Sequence, residues 1–277
     1  MADNRRTFIM RVISALAAAA IVLSLGYWGE RPGLYFVCSV AIILGIREFS
    51  RMAFKKGQVP WGISALFWLV SLAFYGAMVD HYEQGLQWIA LANLTFFSGS
   101  LWIARGRCSN EILLPSLALG SLGMNYCVLF PFFAIQTVQL EHGPLWFFFL
   151  LLVVFAGDTF AYFGGRLVGG AKLMPAISPN KTFAGAVSGL LGSAVMGCLY
   201  AQWQLSFVGI GKVIAFALVC GAVAQSGDLL VSLIKRVAHV KDSGHLMPGH
   251  GGVLDRLDGI FISFPLVYSF ALYVNPQ

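Results

Sequence analysis

The chain has 277 residues, of which 58% are hydrophobic and 11% charged. A soluble domain carries about 25% charged residues, so the composition excludes a soluble multi-domain protein and points to a polytopic membrane protein. The net charge of +6 says less than where the charges fall.

A spanning helix needs about 20 mostly apolar residues. The sequence predicts an all-α fold of about nine such segments, at 11–28, 33–50, 61–79, 86–104, 112–135, 145–165, 183–203, 211–235 and 257–274. Breakers separate them, among them Pro32-Gly33, Gly57 to Pro60, Gly143-Pro144 and Gly169-Gly170. With the N-terminus in the cytoplasm, every Lys and Arg except Arg31 and Lys212 falls on the inner side, as the positive-inside rule requires. Residues 1–140 read as membrane scaffold and 141–277 as the catalytic part of one integrated membrane domain.

The first five segments carry little chemistry. Arg47 and Glu48 could pair with each other, but interface anchoring is the expected role. Trp28, Trp61 and Trp88 read as an aromatic belt. His81 and His142 sit alone in outer loops. Metalloprotease and Walker-type phosphate motifs are absent. The five cysteines show no CxxC pair and suit helix packing. The first apolar run ends at Tyr27-Trp28-Gly29-Glu30, which does not resemble a signal-peptide cleavage site.

Chemistry begins in the sixth segment. Asp158 lies inside it, where a carboxylate costs roughly 2.5–3.5 kcal/mol near the bilayer centre. Such a residue faces a polar cavity or a partner. The loop that follows reads Ser178-Pro179-Asn180-Lys181-Thr182-Phe183-Ala184-Gly185. Pro179 holds Ser178 extended. Lys181 and Thr182 stand where the seventh helix begins, and suit either a phosphate site or a basic anchor with a helix cap. The eighth segment repeats the sixth: Gly227-Asp228 is followed by Arg236 as Gly157-Asp158 is by Arg166. At 1.5 Å per residue each Asp stands about 12 Å from its Arg, so both acids are expected at similar depth.

Asp255 and Asp258 are spaced i, i+3, on one face if the ninth helix starts near them. Carboxylates suit Mg²⁺, which normally binds one or two of them together with substrate phosphate. The alternative is ion pairing with Arg256 and Lys241. Three acids at a basic cytoplasmic face favour the metal. The glycines between Pro248 and Gly252 let backbone approach a ligand closely.

Ser232-Leu-Ile-Lys235-Arg236, then Lys241-Asp242-Ser243-Gly244, then Pro248-Gly-His250-Gly251-Gly252-Val-Leu-Asp255-Arg256-Leu-Asp258, resembles the signature of the phosphatidate cytidylyltransferase (CDP-diacylglycerol synthase) family. The resemblance extends over 155–260. One departure is Ala184, where many members carry Glu. The resemblance implies an integral enzyme of the inner, cytoplasmic membrane with its site facing the cytoplasm. It would convert CTP and phosphatidic acid to CDP-diacylglycerol and pyrophosphate, depend on Mg²⁺ and form a homodimer. The bilayer is then a partner, and nucleic acid is not. Asp228, Asp255, Asp258 and Asp158 are the expected metal ligands. Asp228, Asp255 and Asp258, with Lys235 and Arg236, are the expected catalytic residues. Lys181, Ser178, Thr182, Ser226, Lys241, His250, Gly251, Gly252 and Arg256 are the expected substrate contacts. A CTP-using lipid kinase would need a placed base, and a transporter should show broken helices at the midplane.

Overall fold

The computed structural model describes residues 16–17, 19–55, 57–247 and 251–275. Ten helices occur among them: α1 (Ala19–Trp28), α2 (Glu30–Ala53), α3 (Trp61–Asp80), α4 (Gly85–Ala104), α5 (Asn110–Met124), α6 (Phe130–Gln139), α7 (Gly143–Val168), α8 (Phe183–Gln204), α9 (Ile210–Val237) and α10 (Leu254–Val274). Eight spans are long and apolar enough to cross a membrane, α5 and α6 counting as one continuous run of 30 residues. The protein is an all-α polytopic membrane protein. The segment predicted at 11–28 lies partly outside the described residues; its described part includes α1. The other eight predictions each correspond to one of the eight spans.

Between α5 and α6 the helix widens into a π turn at Asn125–Leu129. Pro131 follows at once and brings no N–H to the helical ladder, a usual setting for such an irregularity. The segment joining α7 to α8, predicted as a loop, is a two-stranded antiparallel hairpin, β1 (Lys172–Met174) and β2 (Ser178–Thr182). Ser178 ahead of Pro179 is extended, as proline requires of its predecessor.

The chain forms two compact units that interleave in sequence. The first gathers Met1–Leu23, Phe36–Phe132 and Ile234–Arg256; the second gathers Ser24–Tyr35, Phe133–Leu233 and Leu257–Gln277. The first is filled by phenylalanine. Phe67 meets Phe54 at 5.1 Å, Phe96 at 6.0 Å and Phe49 at 6.2 Å between ring centroids. Gly120 and Gly123 of α5 offer bare backbone to Phe96 and Phe49.

The second unit is built on a seam of small residues. Gly157, Gly164 and Gly165 of α7 lie against Ser193, Ser188, Thr182 and Gly185 on and beside α8. In lipid this close approach is what holds helices together, because apolar burial alone gives no preference for a neighbouring helix. Ser193 Oγ donates to Val153 O across the seam at 2.9 Å. Gln225 of α9 donates to Ala186 O at 3.0 Å. Gly227 of α9 lets that helix rest on the Asp258 carbonyl of α10.

Candidate active site

Each unit carries one cluster of the residues that the sequence singled out. In the second unit the centre is Asp228 on α9. Its Oδ2 stands 2.5 Å from Lys181 Nζ at the end of β2, and its Oδ1 accepts from Ser232 Oγ at 3.3 Å. The pair is part-solvated, with side-chain exposures of 28% for Lys181 and 33% for Asp228. Thr182 caps α8: its Oγ1 accepts from Gly185 N at 3.1 Å. Phe183 N is bonded to Ala171 O. Two of the first three amides of α8 are therefore already used within the protein.

Asp258 stands on α10 at the crossing with Gly227, the residue that precedes Asp228, and is 9% exposed. Its Oδ1 accepts from Gly259 N at 2.8 Å. Asp158 is exposed on α7, and Arg166 donates to Tyr162 Oη one turn back at 3.1 Å. Ser178 is half-buried in β2. Ser226 is exposed, and its hydroxyl turns back on its own helix to Ala222 O. Ala184 is half-buried, and its carbonyl accepts from Ser188 Oγ.

In the first unit the centre is Asp255, in the first turn of α10. Its Oδ1 lies 2.6 Å from Lys235 Nζ on α9. Its Oδ2 accepts from Ser243 N at 2.8 Å, Ser243 Oγ at 3.0 Å and Gly252 N at 3.0 Å. This carboxylate is 5% exposed and Lys235 16%. The expected ion-pair alternatives were Arg256 and Lys241, but Lys235, expected as a catalytic residue, takes that place. Arg236, Lys241 and Arg256 are exposed. Gly251 has φ +84° and accepts from Met247 N at 3.0 Å. At that φ a side chain would be strained, which accounts for glycine. His250, with Pro248 and Gly249, lies outside the described residues.

Glu48 on α2, expected as an interface anchor, is instead a buried acceptor for the segment around Ser243 and Leu254. It is 3% exposed. Its Oε1 accepts from Val253 N at 3.0 Å, and its Oε2 accepts from Leu254 N at 2.8 Å and Ser243 Oγ at 2.7 Å. Pairing with Arg47 is ruled out by geometry, since adjacent helix residues do not face each other; Arg47 is exposed while Glu48 is buried. The signal was available: an acid inside an apolar segment, which marked Asp158 and Asp228, marks Glu48 equally.

Among the described residues no group of three or more His, Cys, Asp and Glu could hold a metal ion by itself. Mg²⁺ does not need such a cage, since phosphate oxygens and water complete its shell. Asp228 and Asp255 each hold a cationic ammonium on one oxygen, so each already presents the hard, anionic donor that Mg²⁺ takes. Asp228 fits with little rearrangement. Asp255 fits only through Oδ1, because Oδ2 already accepts three hydrogen bonds.

The family model described as the Cytidylyltransferase family matches residues 9–274. Among named relatives, phosphatidate cytidylyltransferase of Haemophilus influenzae is 30% identical over 283 residues, 95% of this chain and 98% of that protein. The Synechocystis protein of the same name is 31% identical over 291 residues, 96% and 97% of the two chains. The Brucella abortus protein is 46% identical over 130 residues, 47% of this chain and 48% of its own, so that match spans about half of each. By the family match and the two end-to-end relatives, the chain belongs to the cytidylyltransferase family.

Proposed function

We infer that this protein is a phosphatidate cytidylyltransferase, which joins CTP to phosphatidic acid and releases pyrophosphate. The observation that carries this is the family match from residue 9 to residue 274, with two relatives of that name aligned nearly end to end. A lipid phosphate oxygen attacks the α-phosphorus of CTP. The new O–P bond forms as the bond from that phosphorus to the bridging oxygen breaks, and pyrophosphate leaves with the electron pair. A phosphomonoester has a second pKa near 6, so the attacker arrives anionic and no residue has to remove a proton. What remains for the protein is positioning and charge stabilisation.

Lys181, part-exposed beside Asp228, is suited to leave the carboxylate for a phosphate, because its ammonium is a compact charge on a flexible stem. Arg236, Lys241 and Arg256 are exposed and offer only donors, which suits the headgroup or the triphosphate. Gly251 and Gly252, with His250, would shape the nucleotide site, and Ser178, Thr182 and Ser226 complete the proposed substrate contacts. Asp228, Asp255 and Asp258 are the carboxylates proposed as Mg²⁺ ligands, with Asp158 a further candidate. Mg²⁺, when bound, screens the phosphate charge. The inner-membrane location, the cytoplasmic site and the homodimer belong to this same proposal, supported by the basic residues on one side of the predicted topology and by family membership.

Purified protein given labelled CTP and phosphatidic acid, with and without Mg²⁺, should form CDP-diacylglycerol and pyrophosphate only with Mg²⁺. Labelled phosphate transferred to a lipid alcohol instead would replace the proposal with a lipid kinase.

A further inference from the structure

Glu48 lies on α2, 195 positions from Ser243 in sequence. A carboxylate within an apolar span is costly to place, and both of its oxygens are engaged by the signature segment. Val253 N and Leu254 N are the amides at the start of α10. A helix leaves these first amides without internal partners and carries partial positive charge there. α10 has no side-chain cap of its own from the residue before it, which is Val253. Glu48 supplies the cap from α2.

The same carboxylate holds Ser243 Oγ, which also lies 3.0 Å from Asp255 Oδ2. One hydroxyl proton cannot serve both acids fully, so Ser243 ties the two carboxylates to a common point. A Cβ on Gly252 would run into Ser243 Oγ and Glu48, and one on Gly244 would meet the Glu48 carboxylate. The glycines at these positions make room for the buried acid as well as for any ligand.

We propose that Glu48 is a positioning residue for cytidylyl transfer: it sets where Ser243, Gly252 and the first turn of α10 stand, and through them the orientation of Asp255 against Lys235. It touches no substrate itself. The proposal rests on the reaction inferred above.

Glu48→Gln keeps the shape but turns one acceptor oxygen into a donor, which then opposes an amide or the serine hydroxyl. The variant should be recovered monodisperse. Hydrogen exchange, read without substrate, should quicken at the 252–254 amides and stay as in the wild type in α3 and α4. With substrate, kcat should fall about 10²-fold, the scale of a small misplacement, and KM for CTP should rise at least about threefold, which a smaller folded fraction would not produce. Glu48→Asp, with the charge kept on a shorter stem, should lie between Gln and wild type. Ser243→Ala removes one of the three bonds and should move the same readouts in the same direction by a few-fold.

Unchanged exchange at the three amides overturns the anchor. Faster exchange with wild-type kcat and KM overturns the positioning role. If Glu48→Gln does not fold, wild-type kinetics in Ser243→Ala overturn the proposal. A wild-type protein without cytidylyl transfer would sink the inferred reaction alone, since the exchange measurement needs no turnover.

Discussion

Asp228 and Asp255 are both acids of the 155–260 region, both paired with a lysine, and they are held in opposite ways. Asp228 is one-third exposed and has one ion pair and one long hydroxyl contact. Asp255 is nearly buried and accepts from an ammonium, two backbone amides and a hydroxyl. The first arrangement is open: the cation can leave and water can replace it. The second is closed, because removing any donor leaves a buried charge short of a partner. Two residues alike in sequence thus divide into one poised for exchange and one that also holds the fold together.

The sharpest way to break this contrast is Asp228→Asn. Activity should drop by on the order of 10³, the scale of losing a principal electrostatic group. Expression and thermal midpoint should stay near wild type, since a part-exposed pair contributes about 0–1 kcal/mol. Turnover alongside a melting curve on the purified variant tests both halves. Retained turnover would remove Asp228 from the reaction.

Asp255→Asn should lose activity as well, but with a stability cost. Breaking a buried pair by removing one member costs about 3–5 kcal/mol, and here Ser243 and Gly252 amides lose a charged acceptor too. A marked fall in midpoint, absent in Asp228→Asn, is the expected signature. Mg²⁺ titration of any residual activity separates the roles further. A wild-type midpoint with a raised Mg²⁺ requirement would show that Asp255 is open like Asp228.

Much of this arrangement was legible in the sequence, and what escaped shares a cause. Eight spans follow from apolar runs that end at Gly and Pro. Thr182 as the cap of α8 and the extended Ser178 follow from their immediate neighbours. The interactions that were missed join residues far apart in the chain: Glu48 with Ser243, Lys181 with Asp228, Lys235 with Asp255. Local sequence marks the acids and lysines among these as charged groups needing a partner, but only the packing of helices selects the partner. The hairpin at 172–182 was missed for another reason, since three- and five-residue strands have too few positions to show an alternating pattern.

Lys181→Ala tests the open side from the basic partner. Asp228 stays part-solvated without the lysine, so the midpoint should shift by less than about 1 kcal/mol in stability. KM for CTP or for phosphatidic acid should rise by roughly tenfold, the equivalent of one lost charge-assisted contact, with kcat reduced less than in either Asp variant. A loss of kcat as large as that of Asp228→Asn, at unchanged KM, would mean that the lysine serves the acid and not the substrate.

The smallest effect is expected next to it, at Thr182. Its hydroxyl caps α8 through Gly185 N and is buried, while its neighbour Lys181 reaches Asp228. The two residues are adjacent in one strand, so their side chains leave the hairpin on opposite faces. Thr182→Ala removes a cap worth about 1 kcal/mol, which should lower the thermal midpoint by a few degrees for a chain of this size. The ion pair on the other face needs no help from the hydroxyl, so KM for CTP should stay within about twofold of wild type. Thr182→Ser keeps the acceptor oxygen and should restore the midpoint. If instead Thr182→Ala raises KM as far as Lys181→Ala does, the hydroxyl contacts substrate. The N-terminus of α8 would then be part of the phosphate site after all, with the cap bond given up when substrate binds.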